Sequence, residues 1–333
     1  MTTTKKLDRE QILQSAGGYR FLAVLGAAAE LNLFTLLGDE SLPAEPIAVR
    51  LRSNLRATVV LLDALAALGL LDKQDENYGV PADLRPWLTE NSPGTALPMV
   101  LHQMSLIRMW SQLAWIVRSG EPAVRQASIR GADADRAAFI AAMHSISAPI
   151  ADDLVARIGP PRFEHLLDVG GASGTWTLAF LRAVPGSRAT IFDLPDAIEQ
   201  ARERIAQSGF RDRVSFVAGD FYDDPLPSGA DLAWVSAIVH QHAREDSRQL
   251  FANVREALTP GGRIMIRDIV MESNRVAPPE GALFAVNMLV ATASGGTFTM
   301  DEYVQDLQAS GFRDVKLVVK DAWMNSVVEA AKA

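Results

Sequence analysis

Polar residues stand where apolar runs stop. HLLDVGGASGTW (165–176) carries Asp168 and then passes into Gly170, Gly171 and Gly174. IFDLP ends its run on Asp193, VAGDFYDD carries Asp220 and Phe221, DLAWVSAIV runs into His240-Gln241-His242, and GRIMIRDIV carries Asp268. A glycine-rich turn after an apolar run brings bare backbone close to a ligand. A nucleoside triphosphate loop needs a lysine and then Ser or Thr after its last glycine. The chain has Thr175-Trp176-Thr177 there, with no lysine. A dinucleotide fingerprint needs a glycine where this chain has Val169, which weakens a nicotinamide cofactor. The nucleoside of S-adenosylmethionine has no pyrophosphate to cradle and needs only the close backbone approach. Asp193, 23 residues after Gly170, is placed to accept from both ribose hydroxyls of either cofactor. Asp220 could accept from an adenine amino group while Phe221 packs on the ring. Acidic run ends without a basic residue suit a cationic sulfonium better than phosphates; the plainer alternative is that these acids cap helices.

His240 suggests proton transfer. A phenol titrates near about 10 and is a poor nucleophile while protonated, whereas a free imidazole titrates near about 6.5 and can take its proton as a bond forms. Such base assistance contributes roughly 10²–10⁴ in rate. Asp268 could hold the imidazole in the useful tautomer. His242 reads as a packing residue. Zinc on His240 and His242 lacks a third ligand nearby, and no clear acidic cluster offers itself to magnesium, so no metal is expected.

The elements that must position these residues have two grammars. From about residue 163 strands alternate with helices: HLLDVG, RATIFDL, VSFVAGD, DLAWVSAI, GRIMIRDIV and VKLVV, with helices such as DAIEQARERIAQSG and AREDSRQLFANVREAL between them. This is an α/β, doubly wound, Rossmann-like pattern with a mostly parallel sheet, and its ligands bind at the carboxyl ends of the strands. Up to about residue 155 the pattern is helical. FLAVLGAAAELNLFTLL reads as a buried helix. It precedes a short helix, a helix from about Leu55 to Leu68 and a hairpin of Leu70–Leu71 with Tyr78–Val80. That order is winged-helix-like. Residues 1–90 hold nine Lys or Arg against twelve Asp or Glu, the wrong balance for a DNA phosphate face, so a protein–protein module is expected.

The bulk agrees. The chain has 333 residues, enough for two domains, and a net charge of -8, which invites neither nucleic acid nor an anionic membrane. Cysteine is absent, which excludes disulfides and a thiol nucleophile and fits a reducing, cytoplasmic setting. MTTTKKLDREQILQ lacks the apolar core of a signal peptide, and no uninterrupted membrane span is expected.

In order, DVGGASG, FDLP, GDF, the histidine after the fourth strand and GGRIMIRD resemble the S-adenosylmethionine-dependent small-molecule O-methyltransferases, the group of plant caffeic acid methyltransferases and bacterial antibiotic-tailoring enzymes of secondary metabolism. The resemblance spans nearly the whole chain and implies a homodimer. It implies a winged-helix-like dimerisation domain over 1–100, connecting helices over 101–155 that contribute to the acceptor pocket, and a methyltransferase domain over 156–333. Gly170, Gly171, Asp193, Asp220 and Phe221 match cofactor positions; Ser236, a further cofactor-binding candidate, falls where plant members commonly carry a lysine, so any contact there must differ. His240 matches the base and Asp268 the acid that orients it. Gln241-His242 stand where plant members have Asp-Trp, and Thr297 and Phe298 where a second acidic partner would fall. These departures leave open a member that binds the cofactor without methylating.

Phe139 and Met143 lie four apart, on one helix face with Ser147. The resemblance places a phenylalanine and a methionine of this helix over the acceptor. Phe284, Asn287 and Met288 recur at helical spacing and would complete a mostly apolar slot for a flat hydroxylated ring. The expected activity is methyl transfer to a hydroxyl of a small aromatic metabolite. A DNA-binding regulator with a ligand-sensing methyltransferase fold and a NAD-dependent oxidoreductase are the alternatives.

Overall fold

The computed structural model describes residues 6–90 and 92–333. Residues 1–5, which belong to the expected 1–100 domain and to the N-terminal stretch read above, lie outside the described residues. The chain divides into two compact units. One runs to Arg108 and includes Arg125–Ser145; the other comprises Met109–Val124 and Ile146–Ala333.

The N-terminal unit is mainly helical around Ala28, Leu33, Phe34, Leu37, Ile47, Leu62, Leu65 and Tyr78. The apolar run over 21–37, expected as one helix, forms two, Tyr19–Glu30 and Leu33–Leu37. The break is Asn32 at φ 57°, a left-handed conformation that asparagine tolerates better than most residues. Helices Ala44–Leu51 and Leu55–Ala67 follow, the second capped by Asn54, whose side chain accepts from the Ala57 N–H at 3.0 Å. The hairpin pairs Asp72–Gln74 with Asn77–Gly79, so its first strand starts after the expected Leu70–Leu71. A two-residue turn at Asp75-Glu76 sets that register, and Leu71 goes into the core. A third strand, Ser41–Pro43, pairs with the other edge of Asn77–Gly79 and was not expected.

The C-terminal unit is built on seven strands: β1 (His165–Val169), β2 (Arg188–Asp193), β3 (Val214–Ala218), β4 (Ala230–Ser236), β5 (Leu258–Asp268), β6 (Phe312–Val319) and β7 (Ser326–Lys332). Their order across the sheet is β6-β7-β5-β4-β1-β2-β3, parallel from β5 to β3 and antiparallel at β6 and β7. Both faces are covered, so the strands are nearly continuously apolar. Leu166, Ile191, Trp234 and Met265 enter one core, and Leu167, Val169, Val235 and Ile266 the other, as alternation requires. The chain leaves β1 toward β2 and later returns to β4 on its other side. That reversal opens a crevice at the carboxyl ends of β1 and β4. β7 was not expected: SVVEAAK contains weak strand formers and is held by ladders on both sides.

The helix Ala132–Ile158 is divided between the two units. By length and composition alone it could cross a membrane, against the expectation of no span. Its Ala151, Leu154 and Val155 are instead packed into the core beneath the sheet.

Candidate active site

The loop after β1 is shaped by what its glycines touch. Gly170 has φ +67°, and a Cβ there would stand 2.6 Å from Ile238 Cδ1. A Cβ on Gly171 would stand 2.9 Å from Asp168 Cγ. Neither position admits a side chain without displacement. The neighbouring strand ends are stitched to this loop. Gly170 N–H donates to the Phe192 carbonyl at 2.8 Å, and Gly219 N–H to the Asp193 carbonyl at 3.0 Å. Asp193 accepts from the Ala172 N–H through Oδ2 and from the Leu194 N–H through Oδ1, each at 2.7 Å. Burial pushes the Asp193 carboxyl above the usual range, and these backbone donors pull it back.

Asp220 Oδ1 accepts from the Tyr222 N–H at 3.0 Å, and its own N–H donates to Asp224 Oδ2 at 2.9 Å. Asp220 therefore shapes its own turn. Phe221 stands edge-on to Tyr222, ring centres 4.8 Å apart, and His242 packs on Tyr222 at 4.7 Å. The Phe221 ring edge lies 3.8 Å from where a Gly170 Cβ would be, so the aromatic cluster closes one side of the glycine loop. Ser236 accepts through Oγ from Arg267 Nη1 at 3.2 Å. Arg267 also donates to Asn325 Oδ1 at 3.0 and 2.7 Å and stacks on Trp176, and burial lowers it to about 10. The Ser236 hydroxyl is thus engaged by a buried cation from the next strand.

Beyond β4 the backbone turns through Ala237 at φ 59°, an uncommon conformation for a residue with a side chain and one found often at functional sites. The turn Val239–Gln241 follows and buries His240, which is 5% exposed. His240 Nδ1 lies 2.9 and 3.0 Å from the two Asp268 oxygens. The His240 N–H donates to Oδ2 at 3.3 Å and the Ile269 N–H to Oδ1 at 2.8 Å. A proton on Nδ1 facing the carboxylate leaves the Nε2 lone pair free. Gln241 Nε2 donates to the Ala237 carbonyl at 2.9 Å, and Gly296 N–H to the His240 carbonyl at 2.9 Å, fixing the turn from both sides. Thr297 Oγ1 donates to the Gly281 carbonyl at 3.3 Å, and Phe298 pairs with Val270. Neither supplies a second acid.

Phe284, on the helix Pro279–Ala291, stands edge-on to His240 at 4.8 Å between ring centres, with Trp323 on its other side at 5.9 Å. Asn287 Oδ1 accepts from Trp110 Nε1 at 2.9 Å, and Met288 is buried. Trp110 and Trp323 escaped the sequence reading; isolated tryptophans far along the chain gave it no spacing to use. Phe139 and Met143 belong to the N-terminal unit, where Phe139 packs its ring 5.1 Å from His102. Among the described residues no group of three or more His, Asp or Glu could hold a metal. The structure thus gathers within one unit the glycine loop, Asp193, Asp220, Phe221, Ser236, His240, Asp268 and the Phe284 helix.

Comparison with known proteins agrees with this arrangement. The O-methyltransferase domain family matches residues 110–313, and the O-methyltransferase dimerisation domain family matches residues 13–82. The chain is 33% identical over 312 residues to the tetracenomycin polyketide synthesis 8-O-methyl transferase TcmO of Streptomyces glaucescens, covering 92% of this chain and 91% of that protein. It is 31% identical to the 3-hydroxy-5-methyl-1-naphthoate 3-O-methyltransferase of Streptomyces sahachiroi, covering 93% and 91%. The crystal structure of human N-acetylserotonin methyltransferase in complex with S-adenosylmethionine matches with a TM-score of 0.78 at 26% identity, over 99% of this chain and 100% of that one. The chain belongs to the S-adenosylmethionine-dependent O-methyltransferase family, with the family's dimerisation domain ahead of its catalytic domain.

Proposed function

We propose that this enzyme methylates a hydroxyl of a small aromatic metabolite, with His240 as the base and Asp268 as the residue that orients it. The carrying observation is the buried His240–Asp268 pair at 2.9 Å, in the turn after β4 whose Ile238 lies against Gly170. The names of TcmO and of the naphthoate methyltransferase support an aromatic acceptor. In this reading Gly170 and Gly171 let the loop pack closely on Ile238, Asp168 and Ile191, which leaves its backbone to face the cofactor. Asp193 and Asp220 offer acceptors to its ribose and adenine, and Phe221 packs on the base. The chemistry of this set fits a sulfonium cofactor: the acids at the strand ends, Asp193 and Asp220, are not opposed by lysine, and the two glycines let the loop pack flat on Asp168, Ile191 and Ile238 so that its backbone can face a ligand. The cofactor supplies an electrophilic methyl group carried on a sulfonium.

The protein's part is positional and acid–base. His240 Nε2 takes the proton of the acceptor hydroxyl, and Asp268 stabilises the imidazolium by holding Nδ1–H. Ser236 remains a candidate on the cofactor side, its hydroxyl held by Arg267. Phe284 and Met288 form the apolar wall, with Asn287 fixed by Trp110; Phe139 and Met143 remain acceptor candidates by family resemblance alone. The dimerisation domain and exposed Ile12, Leu13, Tyr19 and Phe21 support a homodimer, which sedimentation analysis would test. Absence of cysteine supports a reducing, cytoplasmic place of work.

Calorimetric titration with S-adenosylmethionine, S-adenosylhomocysteine and NAD, followed by assay of methyl transfer to phenols and hydroxyquinones, tests the reading. Micromolar binding of the first two and methylated product are expected. Binding of NAD alone, or cofactor binding with no methylated product from any acceptor, would overturn it.

A further inference from the structure

Beneath the glycine loop lies a carboxylate that the proposed mechanism does not use. Asp168, near the end of β1, is 1% exposed. Its Oδ2 accepts from Thr177 Oγ1 at 2.6 Å, whereas Oδ1 is buried and receives no hydrogen bond from the protein. An ionised carboxylate so placed is costly, because burial removes its water and an unfilled acceptor gives nothing back. The loop lies directly on it: a Cβ on Gly171 would stand 3.0 Å from Oδ2. The groups facing it raise the cost further. From the next strand comes another acid, Asp193, and from the following helix only the Thr177 donors. Arg267, the cation on the same face of the sheet, is engaged by Ser236, Asn325 and the Trp176 ring. Among the described residues no cation is paired with Asp168.

We propose that Asp168 is a proton-exchanging positioning residue of the cofactor site: it holds a proton while no positive charge lies on the loop and releases it when a cationic ligand binds there. The inference rests on the loop being the cofactor site, as proposed above. The carboxyl O–H bond breaks, the proton passes to solvent, and the remaining negative charge holds the ligand's cation through the thin glycine loop. Burial, the largest cause, already raises the Asp168 carboxyl to about 7, with the Asp193 charge adding to it and Thr177 opposing. A cation on the loop would lower it. Affinity for a cationic cofactor should therefore rise with pH, by about tenfold between pH 6 and pH 8, and level off above.

The test is calorimetric titration of the full-length enzyme with S-adenosylmethionine in buffers of different ionisation enthalpy. Expected is release of about 0.9 proton per site at pH 6, about half at pH 7 and almost none at pH 8.5. Asp168→Asn keeps the Thr177 hydrogen bond, and it should bind the cofactor without releasing a proton. Should that variant fail to fold, the wild-type infrared difference spectrum serves instead: a protonated-carboxyl band should vanish on binding. Tight binding with no proton release at pH 6, release unchanged in Asp168→Asn, or a persistent carboxyl band would overturn the proposal and leave the cofactor assignment standing. No binding at any pH would remove the cofactor assignment, and the proposal with it.

Discussion

Asp168 and Asp268 are each 1% exposed, and each lies at the carboxyl end of a parallel strand in the same sheet. Their surroundings differ. Asp268 receives donors on both oxygens: the His240 ring, the His240 N–H and the Ile269 N–H. Asp168 receives donors from Thr177 and keeps one oxygen bare. Burial alone does not assign a carboxylate its role; the count and kind of donors do. A satisfied carboxylate holds a neighbour in place, as Asp268 holds His240. An unsatisfied one is a store of electrostatic cost that a ligand's charge can relieve.

Changing each member of the pair should separate these roles. The largest effect on turnover falls on Asp268→Ala, which strips the acceptor from three donors and frees the imidazole. Turnover should fall at least about a hundredfold, with cofactor affinity nearly unchanged, measured by steady-state kinetics and calorimetry. Asp268→Asn should lower turnover similarly while sparing the fold. At Asp168 the expected sign is opposite for stability. Its folded carboxyl is raised to about 7 from 3.8, so the folded state binds more protons across that window. Stability should therefore decline as pH rises from about 4 to about 7. Asp168→Asn should remove this slope, stabilising the protein by about 4 kcal/mol at pH 8 and by little at pH 4, as read by urea unfolding. A smaller effect should follow Gly171→Ala, whose added methyl presses on Asp168 and the loop. Stability should fall by about 1 kcal/mol as Asp168 and Ile191 give way, and cofactor affinity should weaken with the shifted loop, read by urea unfolding and calorimetry.

Much of the satisfied member was legible in the sequence. His240 lies in the turn just after one strand and Asp268 ends the neighbouring parallel strand, and the rule that ligands gather at such ends brings them together across 28 residues. The strand ends at Asp193 and Asp220 were legible for the same reason. The bare oxygen of Asp168 was not. Within DVGG it reads as part of a turn signature, and only packing shows which of its oxygens lacks a donor. The Ser236–Arg267 contact joins adjacent strands in register, which hydrophobic pattern does not specify. Trp110 meets Asn287 across 177 residues, a distance no local pattern spans. In the fold, β7 escaped because its alanines and glutamate favour a helix locally, while the ladders with β5 and β6 hold it extended. The break at Asn32 escaped because its apolar neighbours keep helical spacing on both sides.

The central claim is that His240, held by Asp268, removes the acceptor's proton. It is tested most directly by comparing His240→Ala with the wild type in single-turnover methyl transfer to a confirmed acceptor, with cofactor affinity measured in parallel. Cofactor affinity should stay within about twofold and the rate should fall at least about a hundredfold, recovering partly as pH is raised toward the acceptor's own ionisation. An unchanged single-turnover rate in His240→Ala would contradict it.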